Sequence, residues 1–167
     1  KVILAYGKLS EQPGLLNKII RFETLLTAIQ YFSFALRGIP YMGVGRNLAY
    51  TKDLFEKNKG FSKHYNIISG DDDLFVNSVA NKTNTDICIS KESFTISKPK
   101  TSFSAWWIQK RRHFSSSKLY KTNHKILLAT YNLAVIGFYA TFATSLLFTN
   151  FIILSLTLFA FKSLMFL

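Results

Sequence analysis

Between Lys125 and Lys162 lie 36 consecutive residues without a charged side chain. Nothing else in the sequence limits the fold as strongly. A helix rises about 1.5 Å per residue and crosses a ~30 Å hydrocarbon core in about 20 residues. The run is therefore too long for one upright span and suits two. The first is expected over Ile126 to about Phe148 and the second from Phe151 onward, with Thr149-Asn150 as the turn. Lys162 would snorkel towards an interface. A pair of buried core helices would need a soluble partner of matching size, which the chain does not offer.

Charge is concentrated ahead of that run. The net +12 comes from 21 Lys and Arg against 9 Asp and Glu. Up to Ile96 there are 12 basic residues against all 9 acids, a balance of +3. From Lys98 to Lys125 there are eight basic residues and no acid. A block of this kind can bind nucleic acid, but its place directly before an apolar run favours anionic headgroups and a cytoplasmic flank. The first span would then exit and the second return. Cys88 is the only cysteine, so neither a disulfide framework nor a thiolate metal cage is available.

The chain begins at Lys1, reads at once as a buried strand over Val2-Ile3-Leu4-Ala5-Tyr6, and stops within apolar residues at Phe166-Leu167. It is read as an internal fragment of a longer protein. Apolar positions 15, 19, 22, 26, 29 and 36 recur at helical spacing after Pro13-Gly14, predicting an amphipathic helix of ~20 residues that packs on a sheet or on the bilayer surface and stops at Gly38. A short strand is expected after Gly45, a short helix from Thr51, a loop over Gly60–Tyr65 that includes His64, and Ile67-Ile68 leading into a helix over Leu74–Ala80. Thr85–Ile89 and Ser93–Ile96 alternate and are expected to pair with each other. Ser104–Phe114 reads as helical, with Trp106 and Trp107 as interfacial anchors. The mixture indicates an α/β layer arrangement. Residues 1–117 are expected to form part of a catalytic domain, and 118–167 a basic juxtamembrane segment with two transmembrane helices.

Two clusters carry chemistry. Asp71-Asp72-Asp73 follows Ser69-Gly70, and three adjacent carboxylates repel, which raises at least one pKa. A raised carboxyl is a competent general base for a hydroxyl. Acids at a helix start also serve as caps, through roughly 0.3–1 kcal/mol of macrodipole stabilisation. Successive side chains do not converge on one ion, so the triplet alone is a poor metal site. The second cluster is Gln109-Lys110-Arg111-Arg112-His113. An arginine fork pairs two phosphate oxygens and stabilises a departing diphosphate, and the same patch equally suits lipid phosphates.

In order and spacing these features resemble a family 2 inverting glycosyltransferase of the membrane-integrated, cellulose- and hyaluronan-synthase-like group. The resemblance runs from about Tyr6 to the first span. It rests on Gly45-Arg46-Asn47-Leu48-Ala49-Tyr50, on Gly70-Asp71-Asp72 in the place of the family's T-E-D or G-D-D motif, and on Gln109, Arg112 and His113 in the place of Q-x-x-R-W. It implies the C-terminal portion of a GT-A-type, nucleotide-diphospho-sugar transferase domain followed by two transmembrane helices. Asp72 would be the catalytic base, with Asp71 as its supporting acid and Asp73 outside the motif. Gln109 and Arg112, helped by Arg111, would line the acceptor channel and the diphosphate. Gly43, Gly45 and Arg46 would shape the acceptor wall. His113 replaces the family's Trp, which puts processive synthesis in question; Trp106 or Trp107 would have to substitute.

The family's D-x-D motif, which holds Mg or Mn and the nucleotide, is expected upstream of Lys1. The expected partners are a nucleotide-diphospho-sugar donor, a glycan or lipid-linked acceptor and the bilayer, with no nucleic acid. The expected place is the bacterial inner (cytoplasmic) membrane, multi-pass, with the catalytic part on the cytoplasmic side. The competing expectation is a non-catalytic, membrane-anchored binding or scaffold protein of a polysaccharide export system.

Overall fold

The computed structural model describes residues 1–62, 65–67 and 69–164. The expectations for His64, Ile68 and the last residues, 165–167, fall outside them. The chain is mixed α/β, with six α-helices and two small sheets among the described residues. It divides into two compact units, Lys1–Thr122 and Asn123–Leu167.

In the first unit, β1 (Val2–Ala5) lies at the centre of a three-stranded sheet. It pairs antiparallel with β3 (Leu48–Tyr50), Val2 opposite Tyr50, and parallel with β4 (Thr85–Cys88), Val2 opposite Thr85. β2 (Gly7–Leu9) pairs in parallel with β5 (Thr95–Ser97) in a second sheet. The expected pairing of the segments at 85–89 and 93–96 with each other is therefore corrected: each joins a separate early strand. The cause lies in polar ties. Asn47 Nδ2 donates to the Tyr6 carbonyl at 3.0 Å and to the Ser93 carbonyl at 2.7 Å, which draws the chain after residue 90 towards β2.

α1 (Leu15–Leu36) packs against β2 and β4, and the chain turns away at Gly38. Its face towards the sheets is not the apolar stripe. Asn17, Ile20, Ala28 and Tyr31 are buried, whereas Leu15, Ile19, Phe22, Ile29 and Leu36 of the stripe are exposed. Polar groups fix this orientation: Tyr31 Oη donates to the Ala5 carbonyl at 3.0 Å, Gln12 N–H donates to Asn17 Oδ1 at 3.0 Å, and Asn17 Nδ2 donates to the Ser10 carbonyl at 3.3 Å. Leaving such inward groups unpaired would cost about 1–3 kcal/mol each, so they determine which side faces the sheet.

α2 (Lys52–Lys57) follows β3, and α3 (Asp71–Val79) follows Gly70. Leu74, Phe75 and Val76 join Val2 and Leu4 in the core. α4 (Phe103–Ser117) begins at Ser102, whose Oγ accepts from Ala105 N–H at 3.3 Å.

The second unit holds α5 (Thr122–Ser145), a 3₁₀ turn at Thr149–Phe151 and α6 (Ile152–Leu164). The turn forms where the sequence predicts one. Among the described residues two helices are long and apolar enough to cross a membrane, α1 and α5. α6 is described over 13 residues, about 20 Å of rise against a ~30 Å core. α5 and α6 are joined by stacked Phe142 and Phe159 rings at 4.4 Å. Lys162 Nζ sits 3.8 Å from the Tyr139 ring centroid and 4.4 Å from that of Phe138. The lysine expected to snorkel is thus held over aromatic faces, a contact that stabilises a poorly hydrated cation.

Candidate functional site

Asp71, Asp72 and Asp73 occupy the first turn of α3, and successive positions on a helix point apart. Asp71 is exposed, Asp72 half-buried, and Asp73 only 4 % exposed. Among the described residues no group of three or more His, Cys, Asp or Glu could hold a metal ion. The triplet does not fit a divalent cation, because its carboxylates diverge.

Asp72 faces the turn at Gly45–Asn47. Its Oδ2 accepts from Gly45 N–H at 2.5 Å and its Oδ1 from Asp73 N–H at 2.9 Å. A Cβ on Gly45 would lie 2.9 Å from Oδ2, so only a glycine admits the carboxylate at this distance. The raised carboxyl predicted from mutual repulsion is found at Asp73. Burial pushes Asp73 up to about 7, and the charges of Asp72 and Asp71 add to this, while hydrogen bonds from Tyr120 and Ser116 act against it. Burial also raises the Tyr120 phenol, with the Asp73 charge adding to the effect. Ser116 Oγ lies 3.5 Å from Asp73 Oδ2 and donates to the His113 carbonyl at 2.7 Å. Through these residues the start of α3 and the end of α4 form one packed joint.

α4 distributes the cationic cluster unevenly. Lys110 Nζ is ion-paired with Glu23 Oε1 of α1, which Thr27 Oγ1 also contacts at 3.0 Å. Lys110 is therefore engaged within the protein. Gln109 is half-buried; Arg111 and Arg112 are exposed and form no ion pair among the described residues. His113 reaches solvent, yet surrounding protein lowers its pKa; Asp72 acts to raise it, and Lys110, Arg112 and Arg46 to lower it. The imidazole thus lies within electrostatic reach of the Asp cluster, of the α4 arginine and of the Gly45–Asn47 turn. Of the residues singled out in the sequence, Asp72 meets the Gly45 N–H, and the charges of Asp72, Arg112 and Arg46 all act on His113. Asp71 and Arg111 lie on exposed positions beside them.

Arg46 is half-buried with its aliphatic stem across Gly7, where a Cβ would meet Arg46 Nε at 3.1 Å. That Nε is buried without a hydrogen-bond partner. The guanidinium acts on Tyr6 and Tyr31 as well as on His113. Trp106 is half-buried with its Nε1 unpartnered, and Trp107 is exposed and stacks on Phe103 at 6.3 Å.

Sequence reasoning missed Asp73, Ser116 and Tyr120. One signal was present: Asp73 and Asn77 are four apart, on one helical face, amid Leu74, Phe75 and Val76. Comparison of the chain with protein-family models, with curated proteins and with solved structures finds no match.

Proposed function

We propose that this chain is the acceptor side of a membrane-bound inverting glycosyltransferase. It would take a nucleotide-diphospho-sugar donor and a glycan or lipid-linked acceptor, at the cytoplasmic face of a bacterial inner membrane, in envelope glycan or polysaccharide synthesis. The observation that carries this reading is the placement of Asp72, whose carboxylate accepts from the Gly45 N–H at 2.5 Å and acts across space on His113, the neighbour of Arg112 on α4.

In this mechanism the acceptor hydroxyl gives its proton to Asp72 as its oxygen attacks the anomeric carbon. The bond from that carbon to the diphosphate breaks, and its electron pair leaves with the diphosphate. Arg112, with Arg111 and Gln109, stabilises the charge that develops there. The N–H donors at Asp72 hold its carboxylate oriented rather than leaving it to rotate. His113, kept mainly neutral near pH 7, can donate to or accept from a sugar hydroxyl. Gly45 and Arg46 form the wall beside the base. No step is assigned to a metal, since the described carboxylates do not fit one.

The test is sugar transfer by membranes carrying the protein, against a panel of nucleotide sugars, with Asp72→Asn alongside. Loss of transfer with intact folding supports the reading; unchanged transfer overturns it. A second reading, a non-catalytic membrane-anchored scaffold, is favoured by one observation. Both Asp72 oxygens are engaged by backbone N–H groups, as in a structural cap. It predicts no transfer by the parent protein with any donor.

A further inference from the structure

A cavity of about 410 Å³ opens between α1, the β2 strand and Phe94, apart from the Asp72 site. Lys8, Lys18 and Arg21 line it, together with the rings of Tyr6, Phe22 and Phe94. Arg21 is paired at 2.9 Å with Glu11, a mostly exposed acid, while Lys8 and Lys18 have no ion-pair partner among the described residues. Among the described residues no carboxylate lines the cavity. The guanidinium charges of Arg46 and Arg21 both act on Tyr6.

From the cavity an apolar ridge runs along α1. Phe22 and Leu25 are in its lining, and Ile29 and Leu36 continue the same face at helical spacing. All four are exposed. From residue 22 to residue 36 the helix rises roughly 21 Å, about the length of a long acyl or isoprenoid chain. The polar ties of Asn17 and Tyr31 hold this ridge outward, so it is fixed by the fold.

We propose that this cavity and ridge bind an amphiphile with a phosphate headgroup, its phosphate held by Lys8, Lys18 and Arg21 and its apolar chain laid along Phe22, Leu25, Ile29 and Leu36. Two free ammonium groups and a guanidinium match a phosphate ester in charge and donor number. The rings beside them favour a ligand whose phosphate adjoins apolar carbon. The proposal goes beyond the transferase reading and does not need it, because none of these residues belongs to the Asp72 site.

The experiment measures binding to the chain purified in a maltoside detergent, which carries no phosphate, with three probes. These are dioctanoyl phosphatidic acid below its micelle concentration, dioctanoylglycerol, and glycerol phosphate. The phosphatidic acid should bind, dioctanoylglycerol should not bind measurably, and glycerol phosphate should bind at least about tenfold more weakly, since it lacks the chain that covers the ridge. Lys8→Ala with Lys18→Ala should weaken phosphatidic acid by about thirtyfold or more, whereas Lys57→Ala with Lys91→Ala, exposed elsewhere, should not. Should the double variant fold poorly by far-UV circular dichroism, the surface change Leu25→Asp provides the same reading through the ridge. Equal binding of glycerol phosphate and phosphatidic acid overturns the proposal, as does indifference of the lipid to the lysine or ridge substitutions. Asp72→Asn leaves the binding unchanged, so failure here and failure of the transferase reading are distinguishable.

Discussion

Ser116 fills the space that a side chain on Gly70 would occupy: a Cβ on Gly70 would lie 2.3 Å from the Ser116 Cβ. Gly70 also has φ +90°, which L side chains rarely adopt. Gly70→Ala is therefore expected to destabilise the protein by roughly 2–4 kcal/mol, combining backbone strain with overpacking. Adding Ser116→Gly should recover only the steric part. Thermal unfolding of the two variants in detergent checks this; equal losses in both would refute the steric share.

Asp73 gives the fold a pH dependence of predictable sign. Its carboxyl titrates near 7 when folded and near the ordinary value of 3.8 when unfolded. A carboxyl raised in this way contributes stability that is full below about pH 4 and declines as pH rises through about 7. The three-unit difference bounds the change at on the order of 4 kcal/mol. Asp73→Asn should flatten the stability profile between pH 4 and 7. A profile with unaltered slope in the variant would show that another group is responsible.

Gly45 is expected to matter to activity more than to stability. A methyl group there meets Asp72 Oδ2 at 2.9 Å and must turn the carboxylate away. Under the proposed function, Gly45→Ala should lower transfer by about tenfold or more, and Asp72→Asn by about 10²–10⁴-fold. Far-UV circular dichroism should show both variants folded. Wild-type transfer by Gly45→Ala would mean that the orientation of Asp72 is not set by this contact.

Within one basic cluster, neighbouring cations should behave differently. Lys110 is ion-paired with Glu23, so Lys110→Met should cost about 1 kcal/mol of stability and change transfer little. Under the proposed function, Arg112→Ala should leave stability nearly unaltered and reduce transfer by about 10²–10³-fold, through the leaving group. Parallel melting curves and initial rates separate the two. Similar profiles for both variants would argue against the division of roles.

The sequence shows these elements with unequal clarity. β1, α1, α2, α4 and α5 were legible because each rests on local signals: an apolar run, helical spacing, a Thr or Ser start, the lack of charge. Strand pairing was not, since the choice between neighbours depends on Asn47 reaching both Tyr6 and Ser93, a contact that spans more than forty residues. Which of the two surfaces, sheet or bilayer, the apolar stripe of α1 would meet was left open for a similar reason. Apolar periodicity identifies a stripe, but Asn17 and Tyr31 turn the opposite side towards the sheets. As candidates, Asp72, Arg112 and His113 stood out through residue type, order and the resemblance they carry. The protonated member of the triplet was not, because depth in the core distinguishes Asp73 from Asp72, and depth is not written in adjacent letters.

The middle strand of the main sheet also bears on biosynthesis. Val2 waits for Thr85 to be translated before its parallel neighbour exists, so the nascent polypeptide must keep the apolar strand Val2–Ala5 out of trouble for some eighty codons. Closing so wide a loop is entropically slow. Ribosome-stalled chains ending before residue 84 should accordingly stay protease-sensitive, and those that have extruded residue 97 should resist. α5, long and apolar enough to cross a membrane, then emerges only about twenty-five residues behind β5, which leaves little interval between finishing the sheet and exposing that helix.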